Sequence, residues 1–240
     1  AAVLAPHPES RRDFWVDGRA PVAGTVHRQP RLAQSLRQLA RGGRDAFYQG
    51  AIAEEIVRFS HAHDGLFELE DFAVYRSEWV EPICTDYHGV RVYEIPPNGQ
   101  GITALMTLNI LAHADLRGLA HLSADHLHLF IEAFKLAVAE RDAYVADPAF
   151  NKLPVEQMLS KEFAAAQYGR IDPKRAARFP IAPAARAHRD TVYLSVVDRD
   201  RNAVSFINSL YYPFGSGMVA GDTGIMLQNR GAGFVLERGH

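Results

Sequence analysis

The stretch TVYLSVVDRDRNAVSFINSL, residues 191–210, decides the fold predicted for this chain. Residues 191–198 and 203–210 are rich in β-branched and aromatic side chains, which favour strands. Between them, Asp200-Arg201-Asn202 has the composition of a turn. The stretch is therefore predicted to form a β-hairpin whose first residue is Thr191.

The segment before this hairpin, FPIAPAARAHRD (179–190), is rich in Pro and Ala and is predicted to be a flexible linker. Repeated prolines and glycines predict a loop over residues 1–30. Between the two, apolar residues at helical spacing predict helices. The three apolar stripes are Leu32, Leu36, Leu39 and Ala40; Phe47, Ile52, Ile56 and Phe59; and Leu127, Phe130, Ile131, Phe134 and Val138.

Turn and cap residues predict the remaining elements. Gly42-Gly43 is expected to end the first helix, and Ser123 is a suitable N-cap for the helix that carries the third stripe. The other predicted elements are a short helix over 69–75, a hairpin with strands 80–87 and 90–95, and helices over 102–112 and 160–178.

The composition excludes several classes of protein. A chain of 240 residues with 48% hydrophobic residues can bury a core, and its net charge of −2 gives no electrostatic footprint for nucleic acid. This stretch contains no apolar run long enough to span a membrane. Cys84 is the single cysteine, so no internal disulfide can form. Pairs such as His61 and His63 lie about 200° apart on a helix, so we expect no metal site and no cofactor.

The position of Thr191, after a linker and at the start of a strand, suits one particular chemistry. A threonine at a chain terminus carries its own general base, since its α-amine can take the proton of its hydroxyl. Such an amine has a pKa of about 7.7–8.0, close to working pH. It exists only after the Asp190–Thr191 bond is cut. Taken alone, a threonine that opens a strand is more often a good β-former, so the interpretation depends on the surrounding motifs.

Several long motifs accompany the hairpin in a defined order. FGSGMVAGDTGIMLQNR (214–230) follows it. The preceding region contains GGRDAFYQGAIAEEIV (42–57), LEDFAVYRSEWVEPI (69–83), VYEIPPNGQGITAL (92–105) and HLFIEAFKLAVAERDAYVADP (128–148). Together these motifs resemble the γ-glutamyltranspeptidase family, and the likeness covers nearly the whole chain.

The resemblance implies an α+β fold of the N-terminal-nucleophile hydrolase type, which is an αββα sandwich. Residues 1–190 would be the mostly helical C-terminal half of the large (α) subunit and would end in the mobile linker 179–190. Residues 191–240 would begin the small (β) subunit with the β-hairpin and a Gly-rich segment. Both subunits would come from one precursor that cuts itself before Thr191.

The resemblance also implies an activity. Thr191 would carry a γ-glutamyl group, taken from a glutathione-type amide, as an ester and pass it to water or an amine. Ser209 falls where the family has a hydroxyl that bonds to the nucleophile, so both are expected to be catalytic. The expected partners are therefore a small γ-glutamyl or glutaryl amide and the two subunits.

Three positions of the expected donor pocket depart from the family pattern. Tyr211 stands where many members have Asn or Glu, and Gly233 stands where an Asp grips the donor amine. Arg230, close by, repels an ammonium and attracts a carboxylate. These departures favour a glutaryl or cephalosporin-type acylase with the same nucleophile. A further alternative is a catalytically silent homologue that is never processed.

Two other parts of the family's site find no match in this sequence. One is an upstream arginine that holds the donor carboxylate, and the other is a downstream Gly-Gly pair that forms the oxyanion hole. The chain also begins without Met, and the apolar run Phe234-Val235-Leu236 forms close to its last residue. We therefore expect it to be an internal piece of a longer protein.

Self-cleavage between Asp190 and Thr191 is the first testable prediction. The full-length protein is expected to yield two fragments, the second of which begins at Thr191, whereas Thr191→Ala leaves one uncut chain because the attacking hydroxyl is gone. Intact mass spectrometry distinguishes the two. If Thr191→Ala still matures into two fragments, Thr191 is not the processing nucleophile.

Overall fold

Helices dominate the computed structural model, which describes residues 2–178 and 191–236. The helices are α1 (Pro8–Phe14), α2 (Pro30–Tyr48), α3 (Ala51–Ala62), α4 (Leu69–Ala73), α5 (Gly101–Leu111), α6 (Ala124–Tyr144), α7 (Val155–Met158) and α8 (Lys161–Tyr168). The strands form two antiparallel pairs, β1 (Ile83–Tyr87) with β2 (Val90–Glu94) and β3 (Thr191–Val197) with β4 (Ala203–Ser209). The linker predicted over 179–190 lies outside the described residues. None of the described helices combines the length and apolar character that crossing a bilayer needs.

The described residues group into two units. The first unit joins the described residues up to 77 with those from 191 onward, so it contains α1 to α4, the β3–β4 hairpin and the Gly-rich segment. The second unit covers residues 78–178, with β1, β2 and α5 to α8. The hairpin that opens at Thr191 therefore belongs with the N-terminal helices, although the second unit lies between them in sequence.

The core of the first unit forms on one face of α3. Ile52, Ile56 and Phe59 follow helical spacing, and all three are buried in one cluster with Ala220 of the Gly-rich segment. Partly buried side chains pack around this cluster, namely Phe47, Phe72, Met218, Ile225 and Leu227. The second predicted stripe is therefore confirmed as core.

Buried serines on α1 and α2 tie the Gly-rich segment to the helices. Ser10 donates to the carbonyl oxygen of Gly217 at 2.6 Å and accepts the N–H of Val219 at 3.0 Å. Ser35 donates to the carbonyl oxygen of Thr223 at 2.7 Å. Both serines are almost fully buried. Because no solvent reaches these backbone groups, the two hydroxyls supply the hydrogen bonds that an irregular buried segment needs.

The approach of α2 to this segment requires a glycine at position 224. Gly224 has φ of +70°, in the region that favours glycine. A Cβ atom at this position would overlap the backbone nitrogen of Leu32. Gly224 therefore serves both the turn and the close contact with the start of α2.

The second unit is built around α5 and α6. One buried cluster contains Ile102, Met106, Ala137 and Met158, and another contains Ile110, Leu111, Ala133, Leu136 and Ala164. β1 and β2 are joined at His88-Gly89, where both φ angles are positive, at +48° and +84°. Positive φ at both loop positions is typical of a two-residue hairpin. The predicted hairpin is therefore confirmed, although its first strand begins at Ile83.

Three predictions about helices differ from the structure. The prediction of a loop over residues 1–30 is wrong, because part of this range forms α1. Pro8 occupies the first turn of α1, and Glu9 complements the positive start of the helix. The helix predicted over 160–178 ends at Tyr168, where Gly169, a poor helix former, follows as the C-cap. α2 continues to Tyr48, but Gly43 at φ +60° and ψ −148° interrupts it where the Gly-Gly pair was expected to end the helix.

The apolar stripe predicted on α6 is not the face that this helix buries within the described residues. Phe130, Ile131 and Phe134 are each close to half exposed, whereas Ala133 and Ala137 are fully buried. Ala133 and Ala137, together with Leu136, lie in the clusters that α6 forms with α5. Periodicity identified the helix, but it did not identify the face that is in contact.

Glu132, on the buried face of α6, is a structural carboxylate. It accepts hydrogen bonds from Nζ of Lys135 at 2.6 Å and from the N–H of Ala177 at 3.1 Å. Burial by itself raises the pKa of Glu132, but these two hydrogen bonds and the Lys135 charge together lower it below the usual value. The carboxylate is therefore ionised and paired at neutral pH.

Replacement of Ser10 tests the tie between α1 and the Gly-rich segment. Ser10→Ala is expected to lower the free energy of unfolding by about 1–3 kcal/mol, because the buried groups of Gly217 and Val219 lose their partner. Chemical unfolding of the full-length protein measures this change. Thr25→Ala is the control, since the exposed Thr25 hydroxyl also donates to a backbone carbonyl, that of Val22 at 2.7 Å. An effect of Ser10→Ala no larger than that of the control contradicts the assignment.

Candidate active site

The β3–β4 hairpin sets the geometry around Thr191. Its register pairs Val197 with Ala203 at the turn end and Thr191 with Ser209 at the open end. Directly opposed residues on antiparallel strands project to the same face of the sheet. The register therefore places the side chains of Thr191 and Ser209 side by side.

The carboxylate of Asp198 holds the turn of this hairpin. It accepts hydrogen bonds from the N–H of Asp200 at 2.9 Å, the N–H of Asn202 at 2.8 Å and the side-chain amide of Asn202 at 2.8 Å. The side-chain hydrogen bond from Asn202 is the largest of the effects that lower the pKa of Asp198 below its usual value. The carboxylate is therefore ionised at neutral pH, and Asn202 shapes the turn.

Two donors converge on the side chain of Ser209. The hydroxyl of Thr191 donates to Ser209 Oγ at 3.1 Å, and the N–H of Tyr211 donates to the same oxygen at 3.0 Å. Thr191 is exposed, and Ser209 is half-buried. The hydroxyls of Thr191 and Ser209, which were predicted to lie close together, are therefore within hydrogen-bonding distance in the structure. Asp190, the other residue of the predicted cleavage site, lies outside the described residues.

The three residues predicted to line the donor pocket also lie together. The guanidinium carbon of Arg230 is 5.2 Å from the ring centre of Tyr211, in a cation–π arrangement. Nη2 of Arg230 lies 3.4 Å from the carbonyl oxygen of Ser209. A Cβ atom at Gly233 would lie 3.5 Å from the Tyr211 hydroxyl. The structure therefore brings Tyr211, Arg230 and Gly233 together beside Ser209.

Arg230 is the cationic group of this cluster. It is exposed, and within residues 2–178 and 191–236 no carboxylate forms an ion pair with it. A guanidinium has five N–H donors, so one contact with a carbonyl oxygen leaves most of them available. The cluster can therefore accept an anionic group.

Asn229 is a residue of this region whose role the sequence interpretation missed. Its backbone N–H donates to the carbonyl oxygen of Leu210 at 3.2 Å, and its side-chain oxygen accepts the N–H of Tyr212 at 3.1 Å. Asn229 thus holds the peptide groups on both sides of Tyr211. A short amide beside a Gly-rich turn was the available signal, since such side chains commonly bond to nearby backbone.

Metal ligation has no support in the part of the chain that the structure describes. No group of three or more His, Cys, Asp or Glu side chains within it is arranged to hold a metal ion. Beside Thr191 and Ser209, the described residues supply hydroxyls, a backbone N–H and the guanidinium of Arg230.

A family model described as γ-glutamyltranspeptidase matches residues 1–240. The chain belongs to the γ-glutamyltranspeptidase family. The match covers the helical region and the hairpin together, in agreement with the ordered motifs of the sequence.

Members of the γ-glutamyltranspeptidase family with different names resemble this chain. The glutathione hydrolase-like YwrD proenzyme of Bacillus subtilis is 42% identical over 99% of the chain and 45% of its own length. The oxamate amidohydrolase proenzyme of Klebsiella pneumoniae is 36% identical over 98% of the chain and 44% of its own length. The chain thus spans less than half the length of each of these relatives.

A solved structure of the family supports the fold. The cephalosporin acylase from Bacillus halodurans superposes with a TM-score of 0.85 at 43% identity, over 96% of this chain and 41% of that protein. The mixed α and β structure of this chain therefore has its counterpart among the N-terminal-nucleophile hydrolases of the γ-glutamyltranspeptidase and acylase family.

Ser209 can be tested against a matched serine on the same strand. Ser209→Ala is expected to slow self-cleavage by about tenfold or more in the full-length protein, because the Thr191 hydroxyl loses its hydrogen-bond partner. Ser205→Ala is the control, since the Ser205 hydroxyl bonds only to the Tyr193 hydroxyl among the described residues, at 3.0 Å. Gel densitometry over time gives both rates. Equal rates for the two variants would exclude a specific role for Ser209.

Proposed function

We propose that the full-length protein is a self-processing amidohydrolase and acyltransferase in which Thr191 is the nucleophile. The contact of the Thr191 hydroxyl with Ser209 Oγ, at 3.1 Å, is the observation that carries the proposal. It joins the residue that opens the hairpin to a second hydroxyl at the open end of the same strand pair. Self-cleavage and turnover can then use one nucleophile.

The first reaction under this proposal is the cut of the precursor. The Thr191 hydroxyl oxygen attacks the carbonyl carbon of Asp190, and its proton passes to the departing nitrogen. The Asp190–Thr191 amide bond breaks, which leaves Asp190 as an ester on Thr191 and frees the α-amine of Thr191. Water then hydrolyses the ester and releases the Asp190 carboxylate and the Thr191 hydroxyl.

The second reaction is turnover, and it repeats the same chemistry on a separate amide. The freed α-amine, with a pKa of about 7.7–8.0, takes the hydroxyl proton as Thr191 attacks the donor carbonyl. The donor's amine leaves with a proton, and the acyl group stays on Thr191 as an ester. Water or another amine then takes the acyl group and restores the hydroxyl.

This proposal assigns the two sides of the cut to two subunits of one precursor. Residues 1–190 would supply the C-terminal half of the large subunit, and residues 191–240 the start of the small subunit. The αββα sandwich of the N-terminal-nucleophile hydrolases is the proposed architecture of the complete protein. The TM-score of 0.85 with the cephalosporin acylase supports this architecture.

The donor proposed for this site is an amide whose acyl chain ends in a carboxylate, a feature that γ-glutamyl and glutaryl groups share. Arg230 supplies the cation, and its fork of N–H donors suits a carboxylate. Tyr211 holds the guanidinium from one side by its ring at 5.2 Å. Gly233 offers no carboxylate for an ammonium group. The glutaryl type, which lacks the α-ammonium, therefore fits the described residues better.

The names of the relatives agree with this range of donors. One relative is a glutathione hydrolase-like protein, one is an oxamate amidohydrolase, and the similar solved structure is a cephalosporin acylase. Oxamate has a carboxylate and no ammonium group. We therefore propose glutaryl-like amides as the preferred donors and γ-glutamyl amides as the second candidate.

Donor preference provides the test. The wild-type protein is expected to hydrolyse a glutaryl anilide with higher kcat/KM than a γ-glutamyl anilide. Arg230→Gln is expected to lower the glutaryl value by about tenfold to a hundredfold, since a hydrogen bond to a charged group contributes about 1.5–3 kcal/mol. A preference of the wild type for the γ-glutamyl donor by more than about tenfold means that the amine is recognised, and the donor assignment is then wrong.

Arg199→Gln is the matched control for this measurement. Arg199 also belongs to the first unit, but its side chain is almost fully exposed at the hairpin turn and lies 3.9 Å from Asp200. Removal of its charge is expected to leave the kcat/KM for the glutaryl anilide unchanged within about twofold, because a solvated charge contributes little. Similar losses in both variants would indicate a general charge effect and contradict a specific carboxylate contact.

A further inference from the structure

The backbone of Tyr211 is in an unusual conformation directly beside the reactive pair. Its φ is +80°, in the left-handed region that residues other than glycine, asparagine and aspartate seldom adopt. Side chains in such conformations cost conformational energy and persist where the surroundings enforce them. Tyr211 lies two residues after Ser209, which is the last residue of β4.

The peptide groups on both sides of Tyr211 are held by the same residue. The peptide that joins Leu210 to Tyr211 accepts the N–H of Asn229 through its carbonyl, at 3.2 Å. The next peptide donates the N–H of Tyr212 to the side-chain oxygen of Asn229, at 3.1 Å. The torsion angles of Tyr211 alone connect these two anchored peptides, so its positive φ is what allows both anchors to form together.

The first anchored peptide is also the one that contacts Ser209. The N–H of Tyr211 donates to Ser209 Oγ at 3.0 Å. A serine hydroxyl has two acceptor sites and one proton. With one acceptor site taken by the backbone N–H, the other receives the hydroxyl of Thr191 at 3.1 Å. The side-chain torsion of Ser209 is thereby fixed in the orientation that meets Thr191.

The ring of Tyr211 adds a second connection to Ser209. Arg230 stacks over this ring at 5.2 Å and points Nη2 toward the carbonyl oxygen of Ser209 at 3.4 Å. The side chain of Tyr211 therefore helps to hold Arg230, while its backbone holds the hydroxyl of Ser209. Both connections end on the same residue.

We propose that Tyr211 is a positioning residue: its left-handed backbone keeps its N–H on Ser209 Oγ and so fixes the Ser209 hydroxyl against Thr191. This inference rests on the proposed function of Thr191 and deepens it. Without the Tyr211 ring and its contact with Arg230, a residue that prefers negative φ at position 211 is expected to rotate the peptide away from Ser209 or to break an Asn229 anchor. In either case the Ser209 hydroxyl loses its fixed orientation.

The test compares glycine with alanine at position 211 in the full-length protein. Both variants remove the ring and its contact with Arg230, and they differ by one methyl group. Glycine adopts positive φ freely, whereas an L side chain there is disfavoured by a factor of about five to thirty. Tyr211→Gly is therefore expected to self-cleave at least about fivefold faster than Tyr211→Ala.

The same pair of variants is then made together with Ser209→Ala. If the backbone acts through the Ser209 hydroxyl, the advantage of glycine over alanine shrinks to within about twofold once that hydroxyl is absent. A merely structural role for position 211 would shift the melting temperature and keep the same ratio of cleavage rates in both backgrounds. An unchanged ratio therefore overturns the proposal.

Crystal structures of the two position-211 variants, each made uncleavable by Thr191→Ala, supply a readout that does not depend on cleavage rates. The distance from the nitrogen of residue 211 to Ser209 Oγ is expected to stay near 3 Å with glycine and to exceed about 3.5 Å with alanine. Equal distances overturn the proposal. If alanine does not fold, Tyr211→Asn takes its place, since asparagine tolerates positive φ. The distance is then expected to stay near 3 Å with both glycine and asparagine, and a distance above about 3.5 Å with either overturns the proposal.

The outcomes separate this inference from the proposed function. A wild-type protein that stays one chain, as Thr191→Ala is expected to, overturns both. A wild-type protein that cleaves at Thr191 while the glycine and alanine variants cleave at the same rate overturns the positioning role alone. Faster cleavage with glycine that depends on Ser209 supports both.

Discussion

The register of the β3–β4 hairpin is the constraint on which the candidate site depends. A shift of one residue in either strand would send Ser209 to the opposite face of the pair from Thr191. The ionised carboxylate of Asp198, with hydrogen bonds from Asp200 and Asn202, closes the turn in one conformation. The pairing then propagates along the strands to Thr191 and Ser209. A solvated turn thus determines which hydroxyls meet at the other end of the hairpin.

Beyond the hairpin, buried hydrogen bonds hold the chain where it turns away from the strands. The Gly-rich segment is tied to α1 by Ser10 and to α2 by Ser35, both of which are buried. Asn229 then connects the end of this segment to the residues that follow β4. Sites that need accurate geometry are best supported by groups whose own positions are fixed by packing and hydrogen bonds. Here the Gly-rich segment packs on the α3 core, and short polar side chains that bond to backbone groups connect it to the helices and to the residues beside Ser209.

Under the proposed function, the chemistry and the recognition elements of the site depart to different extents from the family pattern. Thr191 and Ser209 would keep the hydroxyls of that pattern. Tyr211, Arg230 and Gly233 would replace the groups that hold an ammonium, and in the structure these three residues form one cluster. The proposed change of donor needs no change of nucleophile. This separation agrees with the range of names among similar proteins, from a glutathione hydrolase-like protein to a cephalosporin acylase.

The sequence by itself determined the local elements and the family. Strand propensity and turn residues predicted the hairpin at Thr191, helical spacing predicted the buried face of α3, and the ordered motifs predicted membership in the γ-glutamyltranspeptidase family, which the match over residues 1–240 confirms. The adjacency of Ser209 to Thr191 was expected from the family resemblance, and the antiparallel register places the two residues opposite each other. These features depend on neighbours in sequence, which a sequence displays directly.

The tertiary structure alone decided how distant segments meet. Neither α1 nor the buried role of Ser10 followed from a Pro-rich start, because the partner of Ser10 lies in the Gly-rich segment far along the chain. The contact face of α6 is formed by Ala133, Leu136 and Ala137 rather than by the apolar stripe. The positive φ of Tyr211 and its two anchors on Asn229 could not be read from composition, since tyrosine disfavours that conformation unless contacts from elsewhere in the chain enforce it.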